Sequence, residues 1–244
     1  MNAELSQGLK RILDAHGGMQ YWQSLAAVEV SMSAWGFLFR AKRIRPLDHA
    51  VITIDTSDPR VVMKDYPTPG CTTALLGTHR VETRDASGAV LRYRDNPRQS
   101  FGLGRRSLYW DDLDFAYFSG YAMWTYLTLP FLLLRQGVSI DRFEQDADGS
   151  TILTVGFSDY LPTHSPTQTL YFDPSGRLVR HDYTAEVVGS WARAAHLCSD
   201  YRRFDGLWLP TRRRVYPRGP SGRPLPAPLI VGIDIHSARP VPYS

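Results

Sequence analysis

The stretch FAYFSGYAMWTYLTLPFLLL, residues 115–134, holds twenty residues without a charge, closed by Asp114 on one side and Arg135 on the other. As one helix it would run about 30 Å, the thickness of a bilayer core. The fold turns on whether this segment crosses a membrane or is enclosed by the rest of the chain. Two features favour enclosure. Tyr117, Ser119, Gly120, Tyr121, Thr125, Tyr126 and Thr128 give it a heavier polar load than a lone span carries. Pro130 lacks a backbone donor and pushes Leu129 away from helical geometry. The stretch therefore predicts a helix over 112–128 and a short one over 130–135. Asp111, Asp112 and Asp114 suit the positive end of the first helix. A helix apolar on every side is either a span or fully enclosed.

The flanking sequence supplies an enclosure. Leu5, Leu9, Ile12 and Leu13 repeat at helical spacing and Gly17-Gly18 follow as a stop, which predicts a helix over 4–16. A short turn over 19–25 carries Trp22 into the first strand. There Val28, Val30, Met32 and Ala34 share one face, while Trp35, Phe37 and Phe39 take the opposite parity. A bulge near 34–36 would produce that change of phase within one long bent strand. Strands are expected near 48–56, 60–65, 79–84 and 89–95, with 66–77 a loop. After Gly137, turn signals recur at Asp148-Gly149, Pro174-Ser175-Gly176, Gly189-Ser190, Asp205-Gly206 and Gly219-Pro220-Ser221-Gly222. Short strands at this spacing predict a mainly β (α+β) chain. The expected architecture is a curved antiparallel sheet or half-barrel with helices plugging the concave face, a single domain over 1–244.

Composition excludes several function classes. With 43% hydrophobic and 21% charged residues, the chain has the means for a sizeable core and is not disordered. The net charge of +4 comes from 25 Arg and 3 Lys against 24 acids, and the Arg are dispersed, so no nucleic-acid surface is expected. The local excess of Arg202, Arg203, Arg212, Arg213, Arg214 and Arg218 suits an anionic group on a ligand or partner, but reads first as a solvated outer face. Cys71 and Cys198 match no metal spacing, and no HxH or HExxH pattern occurs, so neither a metal nor a cofactor is expected. The first eighteen residues contain no apolar run of the kind an export signal needs, which reads as a cytoplasmic protein.

Candidate chemistry lies in the strand expected over 177–187. Val179, His181, Tyr183, Ala185 and Val187 form its more apolar face, so His181 and Tyr183 should point inward. If Gly189-Ser190 is a two-residue hairpin turn, Tyr183 faces His196 and His181 faces Cys198 on the next strand. Two histidines and a tyrosine in an apolar cavity suit acid–base work, because burial leaves the imidazole neutral. The same groups equally suit core residues that satisfy one another. His181, Tyr183 and His196 are thus the catalytic candidates. Trp110, Tyr117, Tyr121, Trp124, Thr125, His164 and Cys198 are the candidates for lining a ligand cavity.

The two ends carry a resemblance. AHGG at 15–18, YWQSLAAVEVSMSA at 21–34 and FDGLWLPTRRRVY at 204–216 are similar to the LolA/LolB-like superfamily of bacterial lipoprotein carriers and related proteins. The resemblance implies an incomplete antiparallel barrel whose helix-covered concave face binds acyl chains or other apolar ligands. It assigns no individual residue. The reading is a protein enclosing a hydrophobic small molecule or acyl chain, with membrane contact the less favoured arrangement. The alternative is a cofactor-independent enzyme of the cyclase or isomerase type, with the pocket histidines and tyrosine as proton handlers.

Overall fold

In the computed structural model of the chain, residues 3–101 and 104–243 are described. The helices are α1 (Ala3–Asp14), α2 (Met19–Gln23), α3 (Phe37–Ala41) and α4 (Asp112–Thr128). The strands are β1 (Leu25–Trp35), β2 (Leu47–Asp55), β3 (Arg60–Lys64), β4 (Thr72–Leu76), β5 (Arg80–Arg84) and β6 (Val90–Asp95) in the first half. The second half adds β7 (Val138–Gln145), β8 (Thr151–Phe157), β9 (Thr167–Phe172), β10 (Leu178–Thr184), β11 (Arg193–Phe204), β12 (Leu207–Pro217) and β13 (Val231–Pro242).

These strands form one open sheet in the order β6-β5-β4-β3-β2-β1-β13-β12-β11-β10-β9-β8-β7. Every pairing is antiparallel. The long pairing of β1 with β13 joins the two halves, so β6 and β7 are the free edges. The chain leaves one edge at Asp95 and re-enters at the other at Val138, and the uncharged stretch is the connection between them. α4 packs against β2, β3, β4 and β5. Its far side meets the other half: Arg213 of β12 donates to the Tyr126 carbonyl at 2.9 Å, and the Tyr126 ring sits 4.4 Å from that of His196 on β11. A sheet that touches one helix from both halves must curl around it.

The helix is built for that position. From Leu113 to Thr128 each of its residues is buried, so no face is left for water. Asp111 caps it, accepting from the Asp114 backbone at 2.9 Å while the Asp114 carboxylate accepts from the Asp111 backbone at 3.2 Å. Asp114 is fully buried, and its carboxylate is met by Arg94 at 2.5 Å and Arg106 at 2.7 Å. Ser119, Thr125 and Thr128 turn their hydroxyls back onto helix carbonyls four residues earlier, which removes their polarity from the interface. Gly120 lets the helix approach β4, where an added methyl would meet Leu75 at 3.1 Å. Leu129 is extended ahead of Pro130, which ends the helix, and a 3-10 turn covers Phe131–Leu134. Among the described residues no helix is long and apolar enough to cross a membrane.

Three local expectations are corrected. The change of phase after Ala34 is no bulge within a long strand: β1 ends at Trp35, and Gly36, at φ 136, turns the chain into α3. Phe39 is buried because it lies on a helix. The expected loop over 66–77 contains β4, a five-residue strand whose signal is masked by Pro67, Pro69 and Gly70 just before it. Val179 does not face inward. An irregularity between Leu178 and Arg180 in the pairing with β9 flips the parity, so Leu178, His181 and Tyr183 share the buried face and Val179 is exposed.

The carboxylates at the start of α4 give a test. Asp111→Ala should cost about 1 kcal/mol as a lost cap. Asp114→Ala, which leaves two arginines beside an empty buried site, should cost about 3 kcal/mol. Urea unfolding measures both, and an Asp114→Ala variant within error of the parent would show that this ion cluster does not seat the helix.

Candidate functional site

α3, α4 and strands β1 and β10 to β13 enclose an elongated cavity of about 480 Å³. That falls inside the range of small-molecule sites, about 300–1,000 Å³. Met32, Phe115, Phe118, Ala122, Met123 and Ile233 make up much of its wall. The apolar lining follows from strand alternation on β1 and β13 and from the all-round apolar α4. At its mouth stand Phe37, Trp191, Arg193 and Arg218, with Trp191 77% exposed. Lys42 also borders it but is buried, donating to the carbonyls of Arg106 at 2.9 Å and Ser107 at 2.8 Å. Desolvation lowers its pKa.

The inner end of the cavity is polar. Tyr126, His164 and Tyr183 border it together. The Tyr126 hydroxyl lies 2.7 Å from His164 Nε2 and 2.7 Å from the Tyr183 hydroxyl. His164 Nδ1 lies 3.3 Å from the Tyr121 hydroxyl, and the His164 ring stacks on Tyr183 at 3.8 Å, 4° from parallel. The loop that carries His164, between β8 and β9, is pinned by Arg98. That side chain donates to the Thr163 carbonyl at 2.8 Å and pairs with Glu186 at 2.6 Å.

Behind this group is a second layer that does not border the cavity. His181 Nε2 donates to Gln168 Oε1 at 2.5 Å, and Gln168 in turn donates to the Ser165 carbonyl at 2.8 Å. His196 is fully buried, and among the described residues no group bonds either of its ring nitrogens. Arg213, 1% exposed, meets no carboxylate: it donates to the Tyr126 carbonyl, lies 3.4 Å from Cys198 Sγ and sits 5.2 Å from the centre of the Tyr126 ring. Burial lowers the pKa of His181 to about 3 and holds His164 and His196 well below the usual imidazole value, and the Arg213 cation adds to the effect at His181 and His196. Burial likewise raises the hydroxyls of Tyr121, Tyr126 and Tyr183 and the Cys198 thiol. At neutral pH the cluster is a set of uncharged donors and acceptors around one cation. Among the described residues no group of His, Cys, Asp and Glu is arranged to hold a metal.

The sequence-derived candidates therefore separate. His181, Tyr183 and His196 do come together with His164, but in a register two residues from the expected one. His181 faces His196 and Tyr183 faces Ala194. The turn after β10 is no two-residue hairpin but a loop over 185–192 closed by Ala185 N–H donating to the Ala192 carbonyl. An even shift keeps all of these side chains on one face. Of the candidates, His164 and Tyr183 border the cavity. Tyr121 does not line it but contacts the lining residues His164 and Phe118. Trp110 packs on Phe118 and donates to the Arg106 carbonyl. Tyr117 faces the outer side of the helix beside Arg98. Trp124 donates to the Asp55 carbonyl, and Thr125 bonds its own helix. Cys198 lies under Arg213. Gln168 and Arg213, which pack behind the cavity, were not among the candidates. Arg213 had a readable signal: Leu207, Leu209, Thr211, Arg213 and Val215 alternate, and four of the five are apolar or small.

The sequence matches no known family model and no curated protein. Among solved structures the fold is similar to a LolA superfamily protein from Nitrosomonas europaea, at 13% identity and a TM-score of 0.49, over 98% of this chain and 94% of that one. It is also similar to a DUF1329 family protein from Desulfovibrio piger, at 12% identity and a TM-score of 0.43, over 96% and 92%.

The neutral histidines predict an acid-labile fold. His16, buried at the end of α1, has its pKa lowered by burial to about 4, and so joins His164, His181 and His196. In the unfolded chain each titrates near 6.5, so below that pH the unfolded state binds protons that the folded state refuses. Stability is then fullest above pH 6.5 and falls with pH, towards about 4 for His16 and about 3 for His181. The slope is at most about 1.4 kcal/mol per pH unit for each histidine. Urea unfolding between pH 7 and 5, above the range of ordinary carboxylates, measures it. His196→Phe should remove about one histidine's share, and a parent protein equally stable at both pH values would contradict neutral burial.

Proposed function

We propose that the chain encloses a hydrophobic small molecule or acyl chain in the cavity between α4 and the strands around β1 and β13. The observation that carries this reading is the cavity itself, about 480 Å³ and apolar-walled, with the exposed Phe37 and Trp191 on its border. A void of this size lined by Met, Phe and Leu gains little from water, while an apolar ligand restores the contacts that its walls lack. The resemblance at the two ends of the chain points the same way. No charged side chain stands in the inner part of the cavity, so the occupant is expected to be uncharged where it lies deepest.

A second reading has one observation in its favour. The Tyr183–Tyr126–His164 chain borders the cavity, so a protic group could reach a bound substrate. An acid–base enzyme of the isomerase or cyclase type would then rest on Tyr183 and His164, since His181 and His196 lie behind them. Native mass spectrometry separates the two readings: a binding protein returns a co-purified ligand unchanged after incubation, whereas an enzyme converts it.

The cavity is tested with N-phenyl-1-naphthylamine, a neutral fluorophore that brightens in apolar surroundings. The wild-type protein should bind it at one site. Ala122→Trp, from α4, and Ala194→Leu, from β11, should each weaken binding by about tenfold or more by filling the space. Circular dichroism checks that each variant is folded. A folded wild-type protein that leaves the probe dark would overturn the reading.

A further inference from the structure

Hydrogen counting at the inner end of the cavity says more about the ligand, and it rests on the cavity reading above. A neutral imidazole has one N–H and one acceptor nitrogen. If the His164 hydrogen sat on Nδ1 it would donate to Tyr121, and the Tyr121 hydroxyl hydrogen would be buried without an acceptor, since that hydroxyl makes no other hydrogen bond. With the hydrogen on Nε2, Tyr121 donates to Nδ1 and Nε2 donates to the Tyr126 oxygen, so each contact is used. The Tyr126 and Tyr183 hydroxyls then own two hydrogens and share one bond of 2.7 Å, which takes one of them. Whichever tyrosine gives that bond, one O–H is left over, and both rings border the cavity. A buried donor without an acceptor is costly in an apolar site.

We infer that the cavity selects a ligand whose innermost end carries an uncharged acceptor oxygen, such as a ketone, aldehyde or ester carbonyl, on an apolar body. A carboxylate would need a cation at that point. Arg213 lies behind the Tyr126 ring, where it donates to the Tyr126 carbonyl and lies against Cys198, and it does not border the cavity.

The test compares 2-undecanone with 1-undecene as displacers of N-phenyl-1-naphthylamine. The wild-type protein should prefer the ketone by about three- to tenfold, the worth of one neutral hydrogen bond. The carbonyl ¹³C resonance of labelled, bound 2-undecanone should lie downfield of its position in hexane. The double variant Tyr126→Phe/Tyr183→Phe should lose the preference and move the resonance back towards the hexane position while still binding the alkene. If the probe binds but ketone and alkene displace it equally and the resonance stays at its hexane position, this inference fails and the cavity reading stands. If the probe does not bind, both fall.

A separate observation concerns the mouth. Residues 34–47, 187–199 and 206–233, which supply Phe37, Trp191, Arg193, Arg218 and Pro228 around it, contain no Asp or Glu. Phe37 and Trp191 are exposed there, and Leu225, whose N–H donates to the carbonyl of the lining residue Pro217, is exposed close by. Arg193 borders the mouth, and Arg40 and Arg223 lie in the same segments; all three are exposed and make no ion pair among the described residues, while Arg218 pairs with the buried Asp182 at 3.2 Å. Exposed apolar side chains next to exposed cations match the interface of an anionic bilayer. We propose that the mouth docks on an anionic phospholipid surface, which would let an apolar ligand enter without crossing water. Flotation with phosphatidylcholine vesicles, with and without phosphatidylglycerol, reads this. The protein should float with the anionic vesicles only, and added salt should weaken the association. Phe37→Ser/Trp191→Ser should reduce binding about tenfold or more while the unfolding temperature shows the variant intact. Failure to float with anionic vesicles at low salt, or a double variant that floats like the parent, would overturn the proposal.

Discussion

The structure depends on the burial of one helix that has no polar side. An all-round apolar segment is stable in a bilayer or inside protein and nowhere else. Here Asp111 and Asp114 decide the matter at one end, because their carboxylates are tied to Arg94 of strand β6 and, for Asp114, to Arg106 as well. At the other end Pro130 stops the helix. The connection between the two sheet edges is thus held inside the sheet, and the strands curl because both halves must reach the same helix. Curling leaves a gap where α4 does not fill the concavity, on the side of β1 and β10 to β13, and this gap is the cavity.

The second constraint is polarity inside that apolar space. Tyr121, Tyr126, His164 and Tyr183 satisfy most of one another's bonding capacity, as buried polar groups generally do. The bonding is incomplete at the cavity, where one hydroxyl hydrogen is left, and behind it, where among the described residues neither ring nitrogen of His196, nor His181 Nδ1, nor Arg213 Nε has a partner. Arg213 is an uncommon buried cation with no carboxylate. It is held instead by a carbonyl and an aromatic face, and its charge helps to keep His181 and His196 neutral. Neutrality at this depth makes the cluster a hydrogen-bonding surface and not a charged one.

Much of this was legible in the sequence. The bounds of α4, the Pro130 break and the meander of the second half follow from local rules that need only neighbouring residues. His181, Tyr183 and His196 share one buried face as expected because a two-residue period survives an even error in register. The errors also have local causes. Parity arguments fail where one residue is inserted, as at Val179, or where a strand gives way to a helix, as at Gly36. The loop over 185–192 contains a Gly-Ser pair that resembles a tight turn, but its length is set by contacts with Ser165 and His164 far away in sequence.

The sequence by itself determined that this chain is mainly antiparallel sheet, that residues 115–134 must be shielded from water, and which strand faces carry the imidazoles. These are consequences of periodicity, charge and backbone chemistry, which act over a few residues. Only the tertiary structure decided which polar groups meet a ligand cavity. Tyr126 and His164 lie 38 positions apart on a helix and a loop, and Tyr183 is on a strand beyond both. Their contact depends on where a curled sheet sets its strands against an enclosed helix. That is a matter of packing over the whole core, and no local pattern encodes it.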